Sequence, residues 1–252
     1  MKIIVVITIL TINVLTIFAF DFEVDNKYYN IINENSVEIT FKDSLFNSYL
    51  EKNVIVPNSV DYQGKEYKVT QVGSHTFWLC HNINYIVVSE GIKVIGNYAF
   101  GDCENLTEIK LPNSIETIGI YAFGLCKNLS SITIPPKVKN IEDGTFAGCE
   151  NLEFVKFPDG LTKIGHVAFF MCKKLKSVTL PEKIDNLIAC SIFNNCENLQ
   201  TMKVLSKIPP TVNPMMIEDF DFKKCKLLVP IGSKLYYENA EIWKEFTDIE
   251  EF

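Results

Sequence analysis

The chain lacks the signatures on which most assignments of catalysis rest. Its 252 residues hold three histidines, His75, His81 and His166, and none sits in an HExxH metal motif. There is no GxSxG elbow, no P-loop and no GxGxxG turn. CxxC pairs and clusters of histidine with cysteine are missing, which excludes a structural zinc site of ordinary spacing. Acidic residues are scattered, with no pair placed for glycoside chemistry. No lysine or arginine block interrupts a net charge of −7, so the basic surface that phosphate binding needs is absent. One constellation has the residue types of a nucleophile, because His75 and His81 flank Trp78 and Cys80 and a Cys–His pair can build a reactive thiol. Cys80, however, occupies a repeated position of the chain and reads as a packed thiol. The expectation is a protein that is not an enzyme and takes no cofactor, metal or nucleic acid.

What the chain has instead is a repeat. Phe, two residues, Cys, one residue, mostly Asn, and then Leu or Ile recur six times. The phenylalanines are Phe77, Phe100, Phe123, Phe146, Phe169 and Phe193, and the cysteines are Cys80, Cys103, Cys126, Cys149, Cys172 and Cys196. Four consecutive steps are 23 residues and the last is 24. A fixed period in this range is the mark of a solenoid, in which each unit leaves an apolar face open until a neighbour covers it.

Each coil reads the same way. A first strand runs from Leu106 to Pro112, and again from Leu129 to Pro135, Leu152 to Pro158 and Leu175 to Pro181, with Leu199 to Leu205 lacking the proline. Its last two apolar positions are two apart, the period of a strand with one buried face, and the proline ends the ladder. A second extended stretch has apolar residues three apart, as in Ile115 and Ile118. Gly96, Gly119 and Gly165 follow and suit a tight turn, with Glu142 in that place once. A turn of about one helical coil, such as Asn97-Tyr98-Ala99-Phe100, carries the aromatic inward. The first strands of successive coils are expected to pair in parallel. The extra residue of the last step falls around Leu187-Ile188-Ala189 and predicts a bulge there, with the main ladder kept in register. Phe77, at the end of the array, is expected to matter less to stability than a central Phe123.

Residues 1–20 read as a signal peptide, a single lysine before an uncharged run that ends near the small Ala19. The run is close to the length of a membrane-spanning helix, so an uncleaved anchor is the competing reading; no membrane insertion of the mature chain is otherwise expected. Residues 21–75 form an N-terminal β cap, with strands at 37–41, 53–57 and 67–72 and a hairpin turn at Gln63-Gly64. The array occupies 76–205. Residues 206–252 form a C-terminal cap with a strand at 227–230, a short helix N-capped by Ser233, and an apolar face of Ile242, Trp243 and Phe246.

Eight cysteines in an exported chain suggest disulfides, but six share one repeat position, where stacked side chains point the same way. They read as buried, inert thiols, and Cys190 with Cys225 is the pair to expect if a bridge forms. Asn105-Leu106-Thr107 and Asn128-Leu129-Ser130 match the glycosylation sequon, yet Asn82, Asn105, Asn128, Asn151, Lys174 and Asn198 form a series better explained by turn asparagines bonding their own backbone.

The run Leu111-Pro112-x-x-Ile115-x-x-Ile118-Gly119-x-x-Ala122-Phe123-x-x-Cys126-x-Asn128-Leu129 resembles the BspA-type leucine-rich repeat of bacterial and protist surface proteins. The tail Val229-Pro230-x-Gly232-Ser233 with Tyr236 and Trp243-x-x-Phe246 is similar to that family's C-terminal cap, and Phe22-Glu23-Val24-Asp25 with Tyr28-Tyr29 to its mature start. The resemblance implies a leucine-rich repeat, right-handed β-rich solenoid that is secreted or held at the cell surface. It implies a non-enzymatic, adhesive role with an extracellular protein as partner, host matrix proteins above all, and it brings no catalytic residues.

The outward residues of the first strands are where binding is expected. Coil by coil they are Tyr85 and Val87, Glu108 and Lys110, Ser131 and Thr133, Phe154 and Lys156, Ser177 and Thr179, Thr201 and Lys203. Phe154 beside Lys156, with Lys110 two coils away, is the expected hot spot for an acidic partner; Tyr85 and Lys203 complete the candidate set. Against this stands a spacer or surface scaffold without a dedicated ligand.

Overall fold

The computed structural model describes residues 20–43, 48–184, 186–187, 191–212 and 220–252. Those residues form a β-solenoid of about seven turns with coils of about 23 residues. Each coil has three sides. The first carries the main strands Asn53–Val56, Tyr85–Val88, Glu108–Lys110, Ser131–Thr133, Phe154–Lys156, Ser177–Leu180, Thr201–Val204, Lys226–Val229 and Ile249–Glu251. Their pairing is parallel, with Tyr85 opposite Glu108, Ser131 opposite Phe154 and Ser177 opposite Thr201. Ile109, Ile132 and Val155 point inward while both their neighbours are exposed, the alternation expected of a strand with one wet face. The central strands are shorter than the sequence suggested. The amide of Leu106 turns back to the Cys103 carbonyl and that of Ile115 to the Pro112 carbonyl, so the chain bends at both ends.

The second side is a ladder of two-residue strands, Val94–Ile95, Thr117–Ile118, Asn140–Ile141, Lys163–Ile164, Asn186–Leu187 and Thr211–Val212. The glycines that follow them do not serve as flexible turns. Gly96 and Gly119 keep ordinary φ, but a Cβ would fall 2.5 Å from the Ser74 amide or from Asn97 Oδ1 respectively. Close approach between coils, not a turn conformation, excludes a side chain there.

The third side overturns the expected helical turn. Two residues per coil are left-handed: Tyr98 (φ 55°) and Asp102 (54°), Tyr121 (50°) and Leu125 (61°), Val167 (49°) and Met171 (59°). Only one coil places glycines there, Gly144 and Gly148. Each non-glycine position costs about 1–2 kcal/mol. The cost is offset by a ladder between coils, in which the amides of Tyr98, Phe100 and Asp102 donate to the carbonyls of Ile120, Ala122 and Gly124. The asparagine series also differs from the expectation: Asn105 Nδ2 donates to His81 O and Asn151 Nδ2 to Asn128 Oδ1, so these side chains tie neighbouring coils rather than their own turns.

Inside, the six phenylalanines stack with ring centroids 5.2–5.6 Å apart and planes within 18°. Tyr49 packs on the N-terminal end of this stack with its ring tilted 44° to Phe77 at 4.5 Å, and its hydroxyl donates to Thr40 O. Nothing in the repeat announces Tyr49, and its ring against Phe77 is a contact that the expectation of a smaller loss at Phe77 did not include. The main ladder stays in register across the 24-residue step, and Lys163 still pairs with Asn186. The extra residue is therefore confined between Leu187 and Ile192, but the bulge itself lies outside the described residues, as do Cys190 and the leader run 1–19.

At the N-terminus Phe22–Val24, Lys27–Asn33 and Ser36–Thr40 form an antiparallel meander, and Ser59–Tyr62 turns onto Lys65–Val72 through Gln63 and Gly64, both at positive φ. Lys65–Val72 then pairs with Val94–Ile95, joining this sheet to the second side of the array. Asn53–Val56 is already the first main strand. At the C-terminus the helix Lys234–Asn239 forms as expected, but Ser233 does not cap it. The Ser233 hydroxyl donates to Pro230 O, and the Glu251 carboxylate accepts from the Gly232 and Lys234 amides at 3.0 and 2.9 Å. Trp243 is buried and its indole N–H donates to Pro210 O.

Because Phe77 is held between two rings, Phe77→Ala is expected to cost as much as Phe123→Ala, about 3–5 kcal/mol each. Chemical denaturation of both variants checks this. A loss at Phe77 less than half that at Phe123 would show that Tyr49 does not close the stack.

Candidate protein-binding face

Parallel register turns the outward residues of the main strands into two columns. One runs Asn53, Tyr85, Glu108 and, one coil on, Ser131 and Phe154; the other runs Ile55, Val87, Lys110 and then Thr133 and Lys156. Ser177, Thr201 and Lys226 extend the first, and Thr179, Lys203 and Leu228 the second. Phe154 is 52% exposed and has a serine on the strand to either side, so its ring stands above its surroundings. Lys156 is exposed and enters none of the ion pairs formed among the described residues. From Ser131 to Lys203 the two columns hold no carboxylate, although the chain carries a net charge of −7.

The remaining candidates are placed differently from the expectation. Lys110 does not serve Phe154. Its ammonium lies 5.3 Å from the Tyr85 ring centroid and 3.9 Å from the Glu108 carboxylate. A hydrogen bond with the Tyr85 hydroxyl, and then the charges nearby, raise its pKa. Tyr85 and Lys110 are thus brought together, apart from Phe154 and Lys156. Lys203 is occupied as well, with its ammonium 3.5 Å from the centroid of the Phe252 ring. The strand Asn53–Val56 lies beside Tyr85 and Val87, and both of these side chains are half-buried. Ile55, opposite Val87 and 63% exposed, is a surface residue that the sequence reading missed. The alternation of buried Val54 and Val56 around it was the signal that could have found it.

The thiols of the described cysteines are buried. Cys103, Cys126, Cys149 and Cys172 donate S–H to the carbonyls of Phe77, Phe100, Phe123 and Phe146 at 3.0–3.3 Å, and burial raises each thiol well above its usual pKa. Burial pushes Cys80 up to about 11, opposite to the shift that activates a nucleophile. His75 stacks on Tyr98, and His81 lies 3.8 Å from Asp102. Cys225 is a free, buried thiol. Among the described residues no three metal-ligating side chains converge, and no helix is long and apolar enough to cross a membrane.

A family model described as the BspA type leucine-rich repeat region matches in six copies, over residues 70–200 and 121–240. The crystal structure of a leucine rich cell surface protein from Faecalibacterium prausnitzii superposes with a TM-score of 0.62 at 24% identity, over 75% of this chain and 55% of that one. The chain thus spans little more than half the length of that protein. A leucine-rich repeat protein of T. pallidum superposes with a TM-score of 0.65 at 25% identity, over 79% of this chain and 91% of that one. No curated protein matches.

Native protein treated with an aromatic disulfide reagent at pH 8 is expected to leave the ladder thiols unmodified, and denatured protein to react at all of them. Rapid labelling of Cys126 in the native state would contradict the burial.

Proposed function

This chain belongs to the BspA-type leucine-rich repeat family, and from that premise we propose that it is an exported, adhesin-like protein whose main-sheet face binds another protein outside the cell. Proteins of this family are typically non-enzymatic binding scaffolds of the cell surface, which supports the reading. The observation that carries the reading is Phe154. An aromatic ring half exposed in a field of serine and threonine, beside a lysine outside the ion pairs of the described residues, is more apolar surface than a solvated strand face needs. Aromatic anchors flanked by charge are the residues that dominate binding energy at protein interfaces. The carboxylate-free band around it suits an acidic partner patch, and steering by Lys156 would act mainly on association. Host matrix proteins are the ligand class to try first.

A spacer without a ligand is the second reading, favoured by the ties between coils. Lys127 pairs with Glu104, Lys173 with Glu150 and Lys176 with Glu153, each 23 residues apart, which stiffens the rod whatever it carries.

Phe154→Ser with Lys156→Glu separates the two. Both positions are on the surface, so the thermal midpoint is expected to stay within about 2 °C of the parent. Binding to a panel of immobilised matrix proteins is expected for the parent, and the double variant should lose at least tenfold, about 1.4 kcal/mol. Affinity within twofold of the parent would remove this face from consideration. A parent that binds none of the panel would favour the spacer.

A further inference from the structure

We infer that the face takes an extended, acidic segment of its partner, laid across the strands, with two apolar anchors four residues apart; this deepens the reading above and rests on it. The outward columns hold two apolar islands. One is Phe154. The other is the exposed Ile55 with the half-buried Val87 and Tyr85, contiguous because Ile55 lies opposite Val87 and Tyr85 sits on the same strand as Val87. Lys110 holds the Tyr85 ring in place from the neighbouring strand.

Tyr85 and Phe154 stand in one column three coils apart, which is about 14 Å at the usual strand spacing of about 4.8 Å. An extended chain rises about 3.4 Å per residue, so residues i and i+4 are about 13.6 Å apart and point the same way. An α-helix covers the same distance in about nine or ten residues, at which point its side chains have rotated off the shared face. It is also about 10 Å wide, whereas the residues between the islands, Ser131 with Thr133 and Glu108 with Lys110, are the exposed outward side chains of a sheet. The spacing therefore selects an extended occupant.

Charge selects its sign. Lys156 lies one strand position past Phe154's neighbour on the same outward face and has no ion pair among the described residues. Glu108 is already within 3.9 Å of Lys110. The unsatisfied charge next to the Phe154 anchor is positive, so a carboxylate beside that anchor in the partner is complementary. Because the segment crosses the strands, it gains no ladder of main-chain hydrogen bonds. Recognition rests on the two anchors and the carboxylate.

The test uses a displayed library of random twelve-residue peptides, selected on the full chain and counter-selected on the Phe154→Ser, Lys156→Glu variant. Enriched peptides are expected to share two apolar residues four apart and an Asp or Glu near one of them. A synthetic copy of the consensus should lose at least tenfold in affinity on the counter-selection variant, and also on Tyr85→Ser. Moving its anchors to three or five apart should cost as much. Absence of enrichment, a different spacing, or a basic consensus overturns the inference. If matrix-protein binding is lost on the face variants while no four-residue spacing emerges, only the extended segment falls. If partner binding survives those variants, the reading of the face falls with it.

Discussion

The interaction on which the rest of this structure depends is a two-part contact repeated along the axis. The phenylalanine rings lie on one another from coil to coil, and from Cys103 onward the cysteine thiol reaches back to the carbonyl of the previous coil's phenylalanine. The ring brings the apolar area, on the order of 150–200 Å² per side chain. The thiol satisfies part of the backbone where water cannot reach. Cysteine suits the place because it is small, packs as an apolar residue and still carries a weak donor. Alanine would leave a void and remove the donor; serine would bury a hydroxyl in the tightest part of the core.

A core this uniform has a weakness, since a slip of one coil would present the same residues to the same neighbours. The flank resolves it. Along one column the side chains alternate Glu104, Lys127, Glu150, Lys173 and Glu197, and the Lys127–Glu104 and Lys173–Glu150 ion pairs of that column are made. Surface pairs of this kind contribute about 0.2–1 kcal/mol each. Their value also lies against a skipped coil, which would set like charges against each other at the junction, Glu104 on Glu150 or Lys127 on Lys173. The variable residues of the flank thus favour the native register, and other variable positions, on the main strands, give the rod its distinct face.

The architecture was legible because burial is periodic. Phe123, Cys126, Leu129 and Ile132 had to be inside once the period was known, and they are. What the sequence hid depends on contacts between residues far apart in the chain. Tyr49 is not in the repeat, yet it closes the aromatic stack. The left-handed residues carry ordinary side chains, Tyr98 and Met171 among them, because the hydrogen bonds to the next coil override their local preference. At the face, outward direction followed from the two-residue period, so Phe154 and Lys156 were found. Whether a lysine is free did not follow: Lys110 turned to Tyr85 and Lys203 to Phe252 through contacts 25 and 49 residues away. Ser233 failed as a cap for the same reason, because Glu251 arrives from another strand.

Amide hydrogen exchange along the array tests most directly whether the ring-and-thiol contact makes one continuous core. The amides of Phe100, Phe123 and Phe146 each donate to the coil that follows. If the stack is a single cooperative unit, these three are expected to exchange only through global unfolding, with one common protection free energy that falls in step as denaturant is added. Graded protection, with Phe123 opening well below the stability of the whole chain while its neighbours stay closed, would contradict it.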